Sequence, residues 1–213
     1  MAKTLDATYD PSEANKWMPI EEGDYPAHIT GLSSKEITTR AGEAIVVNME
    51  YKVADEVSST TQKVWKMDGY KYQVDTDGNR IPVINGNGEQ KVASCAHLKD
   101  KIFQDNGYFI FTESTSSSKN KRYFELLDDL GVDCGEVKAD GKKVKKLVLL
   151  EDSDVVGKPV IITVKKHEFV TSETKHLPPD QQERRSTFKV NKLSTWEGGE
   201  SLDAAELESD VPF

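Results

Sequence analysis

The sequence predicts a mainly β protein, a small barrel with one helix that carries a long excursion and an acidic tail. Three observations lead there. Apolar residues alternate with polar ones around 25–29, 45–53 and 160–164, the pattern of half-buried strands whose side chains point to opposite faces in turn. Tyr123, Leu126, Leu127 and Leu130 recur at i, i+3, i+4 and i+7 and stop at Gly131, which marks an amphipathic helix with a C-terminal glycine. Turn-forming Gly, Asn and Asp residues separate these segments, and 213 residues suffice for one core domain, here 1–196, with extensions.

Taken in order, residues 1–19 form an arm whose Trp17 packs on the body. From Gly23 the first strand sets Tyr25, Ala27 and Ile29 against Pro26, His28 and Thr30, and Gly31 interrupts it as a bulge would. After a turn at 40–43, the second strand places Ile45, Val47, Met49, Tyr51 and Val53 on one face and Val46, Asn48, Glu50 and Lys52 on the other. Residues 63–73 give a third strand with Gly69 as its bulge. A large insertion, about 74–118, then precedes the helix. It holds a hairpin turn at Asp77-Gly78-Asn79, a loop at 85–88, and a helix capped by Ser94 that carries Leu98, Ile102 and Phe103. A short strand at 108–112 and a Ser-rich loop at 113–120 complete it. Beyond the main helix, 138–146 is a lysine-rich mobile connector. Strands at 158–170 and 186–196 follow, joined by a charged loop at 177–185, and Trp196 seals the barrel.

Three strands, a helix and two strands is the order of an OB fold, a five-stranded Greek-key barrel; a split β-sheet with a packed helix has a similar pattern. The charge is unevenly placed along this framework. Residues 1–118 are net −6, residues 119–196 are net +3, and 197–213 carry six carboxylates with no Lys or Arg. A basic block beside an acidic tail suits a polyanion-binding surface that carries its own competitor. The tail, acidic and poor in aromatics, is expected to be disordered from Glu197 onward. It ends in Asp210-Val211-Pro212-Phe213, which offers a ring and a carboxylate to a pocket with an apolar floor and a basic lip.

Other chemistries find no support in the sequence. Cys95 and Cys134 have neither metal-ligand nor disulfide-rich spacing, which points to a reducing compartment. The N-terminus lacks an apolar signal core and no run is long enough to span a membrane, so a cytoplasmic protein is expected. Asp75-Thr-Asp77-Gly78-Asn79 imitates a calcium loop, but its glycine comes too early and no closing glutamate follows. There is no phosphate-cradling glycine loop and no nucleophile elbow, so neither an enzyme nor a cofactor is expected.

Two resemblances bear on function. The tip Asp210–Phe213 resembles the end of bacterial single-stranded DNA-binding proteins. The body, over about 20–196, resembles phage-encoded OB-fold single-stranded DNA-binding proteins. The likeness lies in Glu22-Gly-Asp-Tyr25, the Gly42-led strand, the Phe124–Gly131 helix and Gly157-Lys-Pro-Val160. These resemblances imply sequence-independent single-strand binding and protection in phage DNA replication and recombination, in the cytoplasm of an infected bacterium. They also imply recruitment of replication or recombination proteins through Asp210, Val211, Pro212 and Phe213. OB grooves bind strands with cations on phosphates and rings on bases. The DNA-binding residues expected on that ground are Lys63, Trp65, Lys66, Tyr70, Lys71 and Tyr72 on the third strand, with Lys165, Lys166, Arg184, Arg185, Lys189 and Lys192 on or beside the last two. Phe109 and Phe111 are weighed as base-stacking rings on the excursion against core, the commoner place for a Phe pair on an apolar strand. The rival readings are a recombination-associated protein-interaction module with weak DNA binding, and a metal-dependent nuclease without a recognisable motif.

Overall fold

The computed structural model describes residues 18–112, 118–139 and 142–203. In chain order the strands and helices are β1 (Gly23–Thr39), β2 (Gly42–Val53), β3 (Thr61–Lys63), β4 (Met67–Asp68), β5 (Lys71–Tyr72), β6 (Val92–Ser94), β7 (Ile102–Gln104), β8 (Tyr108–Ile110), α1 (Lys121–Asp129), β9 (Glu136–Ala139), β10 (Lys142–Lys145), α2 (Asp152–Val155), β11 (Pro159–Val170) and β12 (Arg184–Thr195). Of the described residues, 18–20 and 63–92 belong to a smaller compact unit, while 21–62 and 93–203 belong to a larger one.

The larger unit is organised by β1, whose 17 residues serve two partners. Its first part pairs antiparallel with β11, from Gly23↔Val164 to His28↔Pro159. From Ala27 onward it also pairs with β2, and the register shifts between Ile29 and Gly31, so the expected bulge is present. The sheet runs β12-β11-β1-β2-β7, and β8 pairs with β2 beside β7. Its named strand pairs are antiparallel and it does not close on itself by strand pairing. Its two ends touch at one isolated parallel bridge between Asp105 and Val190.

Strand alternation then builds the core. Tyr25, Ala27 and Ile29 of β1, Val47, Met49, Tyr51 and Val53 of β2, Val160, Ile162 and Val164 of β11, and Val190 and Leu193 of β12 are all buried. Helix α1 contributes Tyr123, Leu126 and Leu127 from one face and ends, as its spacing predicts, at Gly131 with φ +66°. Each fully buried aliphatic side chain of this kind contributes about 1.5–3 kcal/mol. Tyr123 also anchors the following segment, since its hydroxyl donates to Val148 O at 2.8 Å and accepts from Leu150 N at 3.1 Å.

Several expected elements differ. Residues 63–73 are not a strand of the sheet, because Gly69, with φ +58°, and Tyr70 form a tight turn that folds β4 onto β5. The strand beside β2 is instead β7 and β8, with Phe103, Tyr108 and Ile110 buried. The insertion therefore lies between β2 and β7 rather than at 74–118. The helix expected after Ser94 shrinks to a 3-10 turn, Ala96–Leu98. Asp100, at φ 61°, breaks it, and pairing with β2 makes Ile102 and Phe103 alternate between exposed and buried. The expected mobile connector contains the β9–β10 ribbon, tied down by Lys143 to Glu136 at 2.8 Å and by an ion pair from Lys145 to Asp128.

The tail does not begin as expected either. Leu202 N donates to Gly157 O at 3.0 Å, and Glu200 O lies 2.9 Å from His28 Nε2. Gly199 fits where any Cβ would come within 2.4 Å of Pro159 and 2.6 Å of Trp196. Trp196 is half-buried, with its ring 5.6 Å from that of His28. The arm at 1–17, most of the Ser-rich loop, and Ala204–Phe213 with the tip lie outside the described residues. Among the described residues both cysteines are free and buried, no His/Cys/Asp/Glu group is arranged to hold a metal, and no helix is long and apolar enough to cross a membrane.

Candidate functional site

The alternation that buries one face of β1, β2 and β8 turns the other face outward. There the register aligns Lys35, Val46 and Phe109 as one row across three strands. Phe109 is 42% exposed, while its neighbours Tyr108 and Ile110 are buried. Two residues further on, Phe111 is half-buried and Lys119 Nζ lies 5.3 Å from its ring centroid. Buried Asn120 holds this strand end on both sides, accepting from Phe111 N at 2.8 Å and donating to Phe111 O at 3.1 Å. Next to this row, Gly31, Ser33, Asn48, Glu50, Gln104 and Lys189 line a shallow groove of about 360 Å³.

The groove's floor is fixed by the kink between β7 and β8. Gly107 has φ +79°, and a Cβ there would lie 2.6 Å from Val46 Cγ1 and 2.8 Å from Asn48 Oδ1, so any other residue would be strained and would displace both side chains. Asp105, buried at the kink, accepts from Met49 N and Tyr51 Oη at 3.2 Å each and from Gly107 N at 2.8 Å. Burial pushes its carboxyl above the usual range although these bonds pull the other way. Burial likewise raises the phenol of Tyr51, and that of Tyr108 to about 12. The Arg122 guanidinium lies 5.1 Å from the Tyr108 ring centroid. Lys189 Nζ donates to Asp105 O at 3.4 Å, which brings a β12 lysine to the groove.

Beyond Val164 and Val190, β11 and β12 run on as an exposed two-stranded arm. Lys165↔Lys189, His167↔Thr187 and Phe169↔Arg185 share one face of it, and Lys166↔Phe188, Glu168↔Ser186 and Val170↔Arg184 share the other. Like charges directly opposite each other destabilise a strand pair, and an anion between Lys165 and Lys189 would reverse that penalty. Lys166 and Arg185 have exposed ion pairs, with Glu168 at 3.1 Å and Glu183 at 2.8 Å. A register shift between Thr163 and Val164 diverts Lys192 towards α1, where it lines a separate cavity with Arg122, Asp128 and Asp129.

The remaining expected residues, Lys63, Trp65, Lys66, Tyr70, Lys71 and Tyr72, all belong to the smaller unit and not to the sheet. There the Arg80 guanidinium lies 4.0 Å from the Tyr72 ring centroid and 5.8 Å from that of Trp65, and Tyr70 is 83% exposed. The structure thus divides the expected site in two. It adds Lys35 and Lys119, which the sequence reading passed over, and Phe109 and Phe111, which that reading weighed first as core. The buried positions of Tyr108 and Ile110 on either side of Phe109 are the signal that separates it from the core.

The arrangement on the larger unit offers ring faces and cations on a rigid strand surface. It suits a chain of flat rings joined by anions. Comparison with known proteins found no matching family model, no matching curated protein and no matching solved structure.

Proposed function

We propose that this chain binds single-stranded DNA without sequence preference, protecting exposed strand during phage replication and recombination. The observation that carries the reading is the outward row Lys35–Val46–Phe109, with Phe111 and Lys119 at one end and Lys189, paired to Lys165, at the groove lined by Asn48. Phe109 offers an exposed ring for base stacking, and the lysines supply cations for phosphates. The strand order supports an OB-type architecture. It runs β1, β2, β7–β8, α1, β11 and β12, with β1 paired to both β2 and β11 and the last strand meeting the third in parallel at Asp105 and Val190. In this reading the insertion at 54–101 separates the second and third OB strands. Asp210–Phe213 recruits replication or recombination proteins.

The test is a titration of full-length protein with labelled single strands, duplex and RNA, with and without magnesium. Saturable binding to single strands that weakens as salt rises is expected, and Phe109→Ala should cost ~1–3 kcal/mol of affinity. Absence of binding at low salt would favour a protein-interaction module, and strand cleavage with magnesium would favour a nuclease.

A further inference from the structure

The smaller unit has an unusual construction. Among residues 63–92 no side chain is fully buried, so the unit is held by backbone ladders rather than by a core. Val64 N donates to Lys91 O, Val83 N to Val64 O, Lys66 N to Ile81 O and Gln73 N to Lys66 O, all within 3.0 Å. Two loops ten residues apart repeat one device. Asp75 Oδ1 accepts from Asp77 N and Asn79 N, and Asn85 Oδ1 accepts from Asn87 N and Glu89 N. The framework is densely hydrogen-bonded, yet it leaves Val74, Ile84 and Val92 more than half exposed and Tyr70 83% exposed. A solvated spacer has no use for such rings and aliphatics.

The charges are partly sorted. Asp75, Asp77 and Glu89 sit in the two loops, whereas Lys63, Lys66, Lys71 and Arg80 accompany the rings of Trp65, Tyr70 and Tyr72, with Asp68, the register partner of Lys71, the carboxylate among them. Arg80 is stacked on Tyr72, which presets a cation beside a ring before any ligand arrives.

We infer that residues 63–92 are a second single-strand contact, in which Tyr70 and the Tyr72–Arg80 stack receive nucleobases and Lys66 and Lys71 receive phosphates. This inference rests on the reading that the chain binds single strands, and it makes that binding bivalent. Two tethered contacts on one strand multiply affinity through effective concentration, but only for strands long enough to engage both.

The experiment compares full-length wild type, Tyr70→Ala, the pair Lys66→Gln/Lys71→Gln, and Phe109→Ala on oligo-dT of graded length. Tyr70 and the two lysines are exposed, and circular dichroism checks that each variant is folded. Tyr70→Ala should bind the longest strands at least 5-fold more weakly and the shortest as wild type does. The lysine pair should lower the log–log salt slope on long strands by about 1.4. In parallel, bromodeoxyuridine strands are photo-crosslinked to wild-type protein and the peptides mapped. Adducts at Tyr70 or Tyr72 are expected. If Phe109→Ala weakens binding while the smaller-unit variants match wild type at every length and no adduct maps to 63–92, the second contact is overturned and the groove stands. If wild type binds no strand of any length, both readings fall together. If the variants lose capture of a purified protein partner but keep DNA affinity, residues 63–92 are a protein-docking module and this inference is wrong.

Discussion

Asp105 ties three strands together with one residue. Its carboxylate holds two groups of β2 and the amide of Gly107, while its backbone meets Val190 of β12. Replacing it with alanine leaves three buried donors without their acceptor, at ~1–3 kcal/mol each before relaxation. Asp105→Ala should therefore lower the denaturant midpoint markedly and loosen the groove with it. The pH dependence has a definite sign. Burial raises the folded-state pKa above the unfolded value, so this group's contribution is fully present below about pH 3.9 and is lost as pH rises through the folded pKa. The stability of wild type relative to Asp105→Asn should accordingly fall as pH rises above about 4, as followed by urea unfolding; a relative stability that rises would refute this. None of this was legible beforehand, because nothing in Gln104-Asp105-Asn106-Gly107 distinguishes a buried clasp from a solvated turn. Phe109 was misjudged for a related reason. An apolar strand residue is read as core unless its neighbours' burial is known, and Tyr108 and Ile110 already fill the inner face.

At the level of elements, sequence alternation served well wherever one face of a strand meets the core. β1 with its bulge, β2, β11, β12 and α1 all lie near their expected positions. It failed at 63–73, where alternating rings and lysines imitate a half-buried strand although the segment turns back at Gly69. It failed again at 98–103, where helical spacing of apolar residues yielded to pairing with β2, a long-range effect that local spacing cannot encode. Of the candidate surface, the cations of the β11–β12 arm were legible because both strands alternate against the core, whereas residues 63–73 were placed on a strand of the sheet to which they do not belong. The arm supplies its own prediction. Lys165→Gln should lower the log–log salt slope of single-strand binding by about 0.7, the value for one phosphate contact. Lys192→Gln, diverted towards α1 by the register shift, should leave the slope unchanged. Equal effects from both would mean that the arm acts only as diffuse charge.

Across the whole molecule the charge division separates a net-positive block from six carboxylates that follow it. Removal of Ala204–Phe213 should tighten single-strand binding at low salt and leave the unfolding midpoint in place. Removal from Glu197 should tighten binding too, but should also lower that midpoint, because it strips Gly199 from Trp196 and Leu202 from Gly157. If both truncations unfold alike, the Leu202–Gly157 contact contributes nothing to the fold. That contact also sets a mechanical limit. With Leu202 pinned, Phe213 is eleven residues from a fixed post, and a fully extended chain of that length spans about 36–40 Å. Under the proposed partner-binding role of Asp210–Phe213, a partner is held within that radius of Leu202, and Gly157, beside the start of β11, is where the fold takes its load. Gly157→Ala, whose methyl would overlap Leu202 O, should break this contact and move the last fixed point of the chain back towards Trp196, which lengthens the reach.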